Sequence, residues 1–102
     1  MIGYKIDYID EKKKIPVVVF EDDKYKLVAE FFLAEGRNFG REILAALTQA
    51  QRYPAANFAG NAFSLDIAVD FTVVTNDFTD AQCRISTDIL RKVAADYVVA
   101  CE

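Results

Sequence analysis

The side chains best suited to chemistry in this chain are carboxylates in its second half. Asp66 and Asp70 lie four residues apart within an alternating apolar segment. Asp77 and Asp80 lie three residues apart on either side of Phe78, in the stretch VVTNDFTD. Such carboxylates could bind a hard cation, act as an acid–base pair, or surround an aromatic anchor on a protein-binding surface.

A calcium site does not fit the spacing of these residues. An EF-hand loop needs oxygen ligands at alternating positions, then glycine, then a bidentate glutamate at its end. Phe78 and Ala81 stand at ligand or glycine positions, and no bidentate glutamate follows. A looser oxygen site built with Asp66 or Asp70 has no specific pattern behind it. We therefore predict no metal site and no cofactor.

Catalysis is also disfavoured. An acid–base pair needs a pocket that separates the two pKa values, whereas Asp66 and Asp70 flank a predicted surface hairpin on its polar face. The chain has no histidine, which excludes the common Ser–His and Cys–His nucleophile arrangements. Cys83 and Cys101 are expected to be reduced core residues rather than a disulfide. We predict that the protein is not an enzyme.

The charge is placed unevenly along the chain. Residues 1–52 hold nine Lys/Arg and nine Asp/Glu, whereas residues 53–102 hold three basic and seven acidic residues. The net charge of −4 therefore belongs to the half that contains the carboxylates described above. An acidic surface repels nucleic acid and attracts basic proteins. The interpretation that remains is a protein-binding surface of Asp66, Asp70, Asp77 and Asp80, with Phe78 as a possible anchor; the alternative is that Phe78 folds back onto the core.

We expect residues 1–102 to form a single α+β domain, since 53% of the chain is apolar and its length is typical of one domain. No apolar run approaches the length of a membrane span. The segment 1–10 lacks the apolar region of a signal peptide. These observations favour a soluble, cytoplasmic protein with no membrane partner.

The first half predicts a three-strand meander followed by a helix. Alternation in 3–9 and β-branched residues in 15–20 indicate two strands, and the apolar residues of 25–33 fit a third strand at period two. The segment 25–33 also suits a helical period, and this alternative remains open. A helix over 39–52 follows from its apolar face, with Asn38 as the predicted N-cap and Pro54 as the stop.

The second half predicts a hairpin and a closing helix. A single strand over 63–75 would be roughly 43 Å long, so a hairpin turning near 68–70 is favoured. Segment 81–85 could add a short strand. The closing helix spans 87–101, with Ser86 or Thr87 as its cap. The resulting fold class is α+β: an antiparallel sheet, made of the N-terminal meander and the C-terminal hairpin, with two main helices on one sheet face.

The block GNAFSLDIAVDFTVVTNDFTD, followed by CRISTDILRKVAADYV, resembles small bacterial immunity proteins of contact-dependent growth-inhibition (polymorphic toxin) systems. The layout is also similar to the uncharacterised YacL-type family, whose members share the meander, middle helix, hairpin and closing helix. The resemblance implies a non-catalytic inhibitor that binds a cognate toxin domain. Toxins of this kind are often nucleases, whose basic surfaces an acidic inhibitor would cover.

Two other functions stay open at the level of sequence. One is a housekeeping regulatory or scaffold domain that binds proteins without a toxin partner. The other is a small enzyme that uses Asp66 or Asp70. A toxin reading frame beside the gene would separate the immunity hypothesis from the housekeeping one. Loss of activity in Asp66→Asn would be needed to support an enzyme.

Overall fold

Two antiparallel sheets and three α-helical segments make up the fold in the computed structural model, which describes residues 2–10, 12–53 and 55–102. The elements are β1 (Tyr4–Tyr8), β2 (Pro16–Phe20), α1 (Lys26–Phe31), α2 (Arg37–Gln49), β3 (Ala55–Ala59), β4 (Phe63–Ala68), β5 (Phe71–Asn76), β6 (Gln82–Ser86) and α3 (Thr87–Cys101). Strands β1 and β2 form one sheet, and β3, β4, β5 and β6 form the other in chain order. The predicted α+β class with antiparallel pairing is confirmed.

The predicted third strand of the N-terminal meander is wrong. Residues 25–33 begin in a 3₁₀ turn, continue as α1 and enter a π-helical segment, Phe32–Gly36, that leads directly into α2. Val28, Phe31 and Phe32 are buried, as a helical spacing requires. Leu33, which belongs to the period-two set, is 45% exposed. The helical period therefore describes the buried face better than the strand period.

The middle helix is longer at its N-terminal end than predicted. Because α1, the π-helical segment and α2 are consecutive, Asn38 lies inside helical structure and is not an N-cap. The last turn ends at Gln49. The predicted stop at Pro54 lies outside the described residues.

The predicted hairpin is confirmed, but it reverses which residues of β5 face the core. Strands β4 and β5 are joined by the two residues 69–70, so Ile67 pairs with Thr72 and both are buried. Even-numbered residues of β5 therefore point inward, and Phe71 and Val73 point outward. Although the odd-numbered residues from Phe63 to Val73 are all apolar, Phe71 and Val73 lie on the outward face of β5, and Val69 in the turn is 57% exposed.

Strand β6 and the closing helix are also confirmed, whereas β3 has no counterpart in the sequence predictions. Ser86 caps α3, because its hydroxyl accepts a hydrogen bond from the N–H of Ile89 at 3.4 Å. The buried side of α3 contributes Leu90, Val93 and Tyr97 to the core.

Helix α3 is also hydrogen-bonded to the two-stranded sheet of β1 and β2. Tyr97 Oη donates to the carbonyl of Pro16 at 3.1 Å, and Tyr4 Oη donates to Asp96 Oδ2 at 2.6 Å. Burial raises the pKa of Tyr97 to about 12. Burial and the hydrogen bond to Asp96 also raise the pKa of Tyr4. Two tyrosines thus fasten the N-terminal hairpin to the C-terminal helix.

The two cysteines are free thiols in different surroundings. Cys83 is half-buried, and its thiol donates to the carbonyl of Lys24 at 3.3 Å. Cys101 is exposed near the end of α3, so the expectation that both are core residues is wrong for Cys101. Burial raises the pKa of both thiols, which disfavours the reactive thiolate form.

Candidate functional site: an acidic docking surface

The loop between β5 and β6, residues 77–81, has a well-defined turn conformation and is called the docking loop below. Asn76 Oδ1 accepts hydrogen bonds from the N–H groups of Phe78 and Thr79, at 2.9 and 3.3 Å. Asp80 N–H donates to the carbonyl of Asn76 at 2.8 Å. Asp80 has φ of 62°, a left-handed conformation that aspartate tolerates better than most residues. These local bonds explain why an Asn–Asp-rich stretch forms a tight turn here.

Phe78 projects from this loop into solvent. Its side chain is 80% exposed, more than any other large apolar residue of the described chain. The alternative that Phe78 folds back onto the core is therefore excluded. Because the backbone of this turn is already ordered, binding through Phe78 would cost little backbone conformational entropy.

Asp77 is anchored to the neighbouring hairpin. Its N–H donates to the carbonyl of Ala62 at 2.8 Å, and its Oδ1 accepts from the hydroxyl of Ser64 at 2.8 Å. Ser64 lies on the outward face of β4, two residues before Asp66. The carboxylates of Asp66 and Asp77 therefore belong to one continuous surface.

The outward face of the four-stranded sheet adds apolar groups to this surface. Asp66 pairs with Val73, and Val73 pairs with Arg84, which places the three in one row across β4, β5 and β6. The guanidinium of Arg84 lies 3.9 Å from the ring centroid of Phe71 in a cation–π contact. A shallow hollow of about 500 Å³ lies beside this row, bordered by Asp66, Phe71 and Val73.

Asp70 lies at the other end of the hairpin from the docking loop. It follows β4 in the two-residue turn, and its carbonyl accepts from the N–H of Thr87 at 3.1 Å. Asp77 is seven residue steps further along the chain, roughly 23 Å away at about 3.3 Å per step of extended chain. Asp77, Phe78 and Asp80 therefore share the docking loop, whereas Asp66, which pairs with Val73, lies along the hairpin between this loop and Asp70.

The carboxylates of this surface are not neutralised internally. Within residues 2–10, 12–53 and 55–102, the salt bridges join other residues, and none includes Asp66, Asp70, Asp77 or Asp80. All four are exposed. These four carboxylates, with the guanidinium of Arg84 over Phe71 on the same sheet, give the surface an excess of negative charge that can attract a basic partner.

Among the described residues, no group of three or more Asp, Glu, Cys or His side chains is placed so that it could hold a metal ion. Over the same part of the chain, every helix is too short or too polar to cross a membrane.

Nothing matches this chain in comparisons with family models, curated proteins and solved structures. Three residues of this surface, Phe71, Val73 and Arg84, were not predicted from the sequence. The sequence signal that could have identified them is the two-residue connection between β4 and β5. Because of this connection, odd-numbered residues face inward in β4 but outward in β5.

Proposed function

We propose that this protein is a non-catalytic binding domain that docks a basic protein partner through Asp66, Asp77, Phe78 and Asp80, called the docking surface below. The observation that carries the proposal is an 80% exposed Phe78 on a hydrogen-bonded turn, between two carboxylates that form no salt bridge within the described residues. An aromatic anchor within a polar surround is the usual composition of an interaction hot spot. Phe71 and Val73 extend the apolar contact area, and Asp70 lies at the rim.

The geometry is compatible with one interface of ordinary size. A standard interface buries about 800 Å² on each partner, a patch roughly 30 Å across. The distance of roughly 23 Å between Asp70 and Asp77 fits within such a patch. A single partner could therefore contact both ends of the hairpin.

We further propose that the partner is a toxin domain, and that the protein is its immunity protein, acting in the cytoplasm. The resemblance of the second half to contact-dependent growth-inhibition immunity proteins supports this choice. A nuclease toxin needs lysines and arginines to hold phosphates, and carboxylates that pair with those side chains would block its substrate. An exposed acidic surface suits that task without any catalytic group.

The test has two steps. The partner is first captured from the native cell by crosslinking and identified, and its affinity is then measured for wild type, for Asp66→Asn, Asp77→Asn, Asp80→Asn and for Phe78→Ala. Removing a desolvated carboxylate should weaken binding by about 2–5 kcal/mol, and removing one at the rim by less than about 1 kcal/mol. Raising the salt concentration should slow association far more than it accelerates dissociation.

Glu42→Gln is the matched control, because it removes one exposed negative charge from α2, away from the docking surface. Its affinity should equal that of the wild type. If all four docking-surface variants bind within about twofold of wild type, this surface is not the interface. If the captured partner is not a toxin, the immunity function is wrong and the housekeeping regulatory function takes its place. The assignment of the docking surface would then still stand.

A further inference from the structure

A buried carboxylate lies behind the docking surface. Glu35 is 1% exposed and belongs to the π-helical segment Phe32–Gly36. Its Oε2 accepts hydrogen bonds from the backbone N–H groups of Ala62 and Phe63, both at 3.4 Å. Burying a carboxylate is costly unless donors compensate it, and π-helical segments occur frequently at functional sites. The position of Glu35 is therefore unusual enough to need a physical explanation.

The space that Glu35 occupies is provided by Gly60. A Cβ atom on Gly60 would overlap Glu35 Oε2, so any other residue would displace the carboxylate. Gly60 N–H donates to the carbonyl of Phe63 at 2.9 Å and closes the turn between β3 and β4. Gly60 has a negative φ, so the close approach of Glu35, and not a left-handed backbone, is what favours glycine here.

One peptide group connects this carboxylate to the docking loop. The peptide between Ala62 and Phe63 presents its N–H to Glu35 and its carbonyl to the N–H of Asp77, at 2.8 Å. Hydrogen bonds at the two ends of one peptide polarise each other and hold its plane from both sides. Asp77 is the first residue of the docking loop, so the orientation of this peptide affects where the loop begins.

We infer that Glu35 is a positioning residue of the docking surface: it orients the Ala62–Phe63 peptide, which fixes Asp77 and the start of the docking loop. Glu35 touches no partner itself and acts through the β3–β4 turn. The consequence for binding rests on the function proposed above, whereas the positioning is a property of the free protein.

The test is amide hydrogen exchange, measured residue by residue by NMR on the free protein. Glu35→Gln keeps the size of the side chain but removes its negative charge, so the charge-assisted hydrogen bonds from the two backbone donors become weaker. The Asp77 amide should exchange about tenfold faster or more, because local opening of the turn becomes easier, while the core amides of Leu90 and Tyr97 keep their rates.

Gly60→Ala disturbs the same contact by displacing the carboxylate of Glu35, so it should also accelerate exchange of the Asp77 amide while Leu90 and Tyr97 keep their rates. Glu30→Gln, which alters an exposed carboxylate of α1, is the matched control and should leave Asp77 unchanged. The inference is wrong if Asp77 exchanges within about twofold of wild type in both variants, or accelerates only in step with Leu90 and Tyr97. Unchanged partner affinity in the Asp→Asn variants would overturn the proposed function but not this exchange result.

Discussion

At the scale of single residues, a buried pair of threonines joins the four-stranded sheet to α3. Thr87 Oγ1 donates to the carbonyl of Ala68 at 2.6 Å, so it must accept from the hydroxyl of Thr72, which lies 2.8 Å away. Both threonines are fully buried. Among the residues that the structure describes, the two hydroxyls form hydrogen bonds only with each other and with the carbonyl of Ala68, so removing either hydroxyl leaves the other without a partner for one hydrogen bond.

We expect Thr87→Val to lower the free energy of unfolding by about 1–3 kcal/mol, because it leaves the Ala68 carbonyl and the Thr72 hydroxyl unpaired. The measurement is urea unfolding followed by circular dichroism. Thr87→Val combined with Thr72→Val should cost less than the sum of the two single variants, since the double variant leaves fewer polar groups unpaired. Strict additivity would show that the two hydroxyls are not coupled.

At the scale of elements, the π-helical segment sets how closely the helical layer approaches α3. A Cβ atom on Gly36 would lie 2.5 Å from Tyr97 Cε1, and Tyr97 is held by its bond to Pro16. A Cβ atom on Gly40, one turn further along, would lie 3.2 Å from Val98 Cγ2, which has room to adjust at the half-buried surface.

Gly36→Ala should therefore destabilise the protein by about 1–3 kcal/mol, because overpacking exceeds the gain in helix propensity. Gly40→Ala, the matched control, should change stability by less than about 1 kcal/mol, since the two effects nearly cancel there. Thermal unfolding compares the two variants directly. Equal stability of both would mean that Tyr97 moves aside without cost.

The elements also show how far the sequence could predict this fold. The α3 helix was predictable because its cap at Ser86 and its apolar period agree. The apolar residues of 25–33 fit both the two-residue period of a strand and the 3.6-residue period of a helix. Only the packing of Val28, Phe31 and Phe32 in the core decides between the two. Strand β3 was missed because its alanines give almost no pattern.

The candidate site was predicted only in part, for a related reason. Composition proposed Asp66, Asp77, Phe78 and Asp80 as candidates, but the exposure of Phe78 depends on a turn that the sequence does not specify by itself. Glu35 could not be found from spacing, because its partners lie 27 and 28 residues away along the chain. Register and long-range contacts, and not local propensity, decide these features.

For the molecule as a whole, two tyrosines with raised pKa values make the stability sensitive to alkaline pH. The neutral phenol of Tyr97 is favoured in the folded state, because burial raises its pKa from 10.0 to about 12. The stability it contributes is therefore fully present below the unfolded-state pKa of 10.0 and is lost as the pH rises towards about 12. The pKa of Tyr4, also raised, acts in the same direction.

We expect the free energy of unfolding to fall between pH 10 and about 12, and to fall less steeply in Tyr97→Phe. Guanidinium unfolding at several alkaline pH values gives both curves. Tyr53→Phe is the control, since Tyr53 is 61% exposed. Parallel curves for wild type and Tyr97→Phe would show that this phenol does not contribute to the alkaline loss.

The order of strands in the larger sheet has a consequence for how the chain folds. Each strand pairs with its neighbour in sequence, from β3 to β6, so these pairings close short loops and should form quickly. The contacts of Tyr4 and Tyr97 with their partners instead close loops of 92 and 81 residues. The N-terminal hairpin should therefore dock late, so that mutations at Tyr4 accelerate unfolding more than they slow folding.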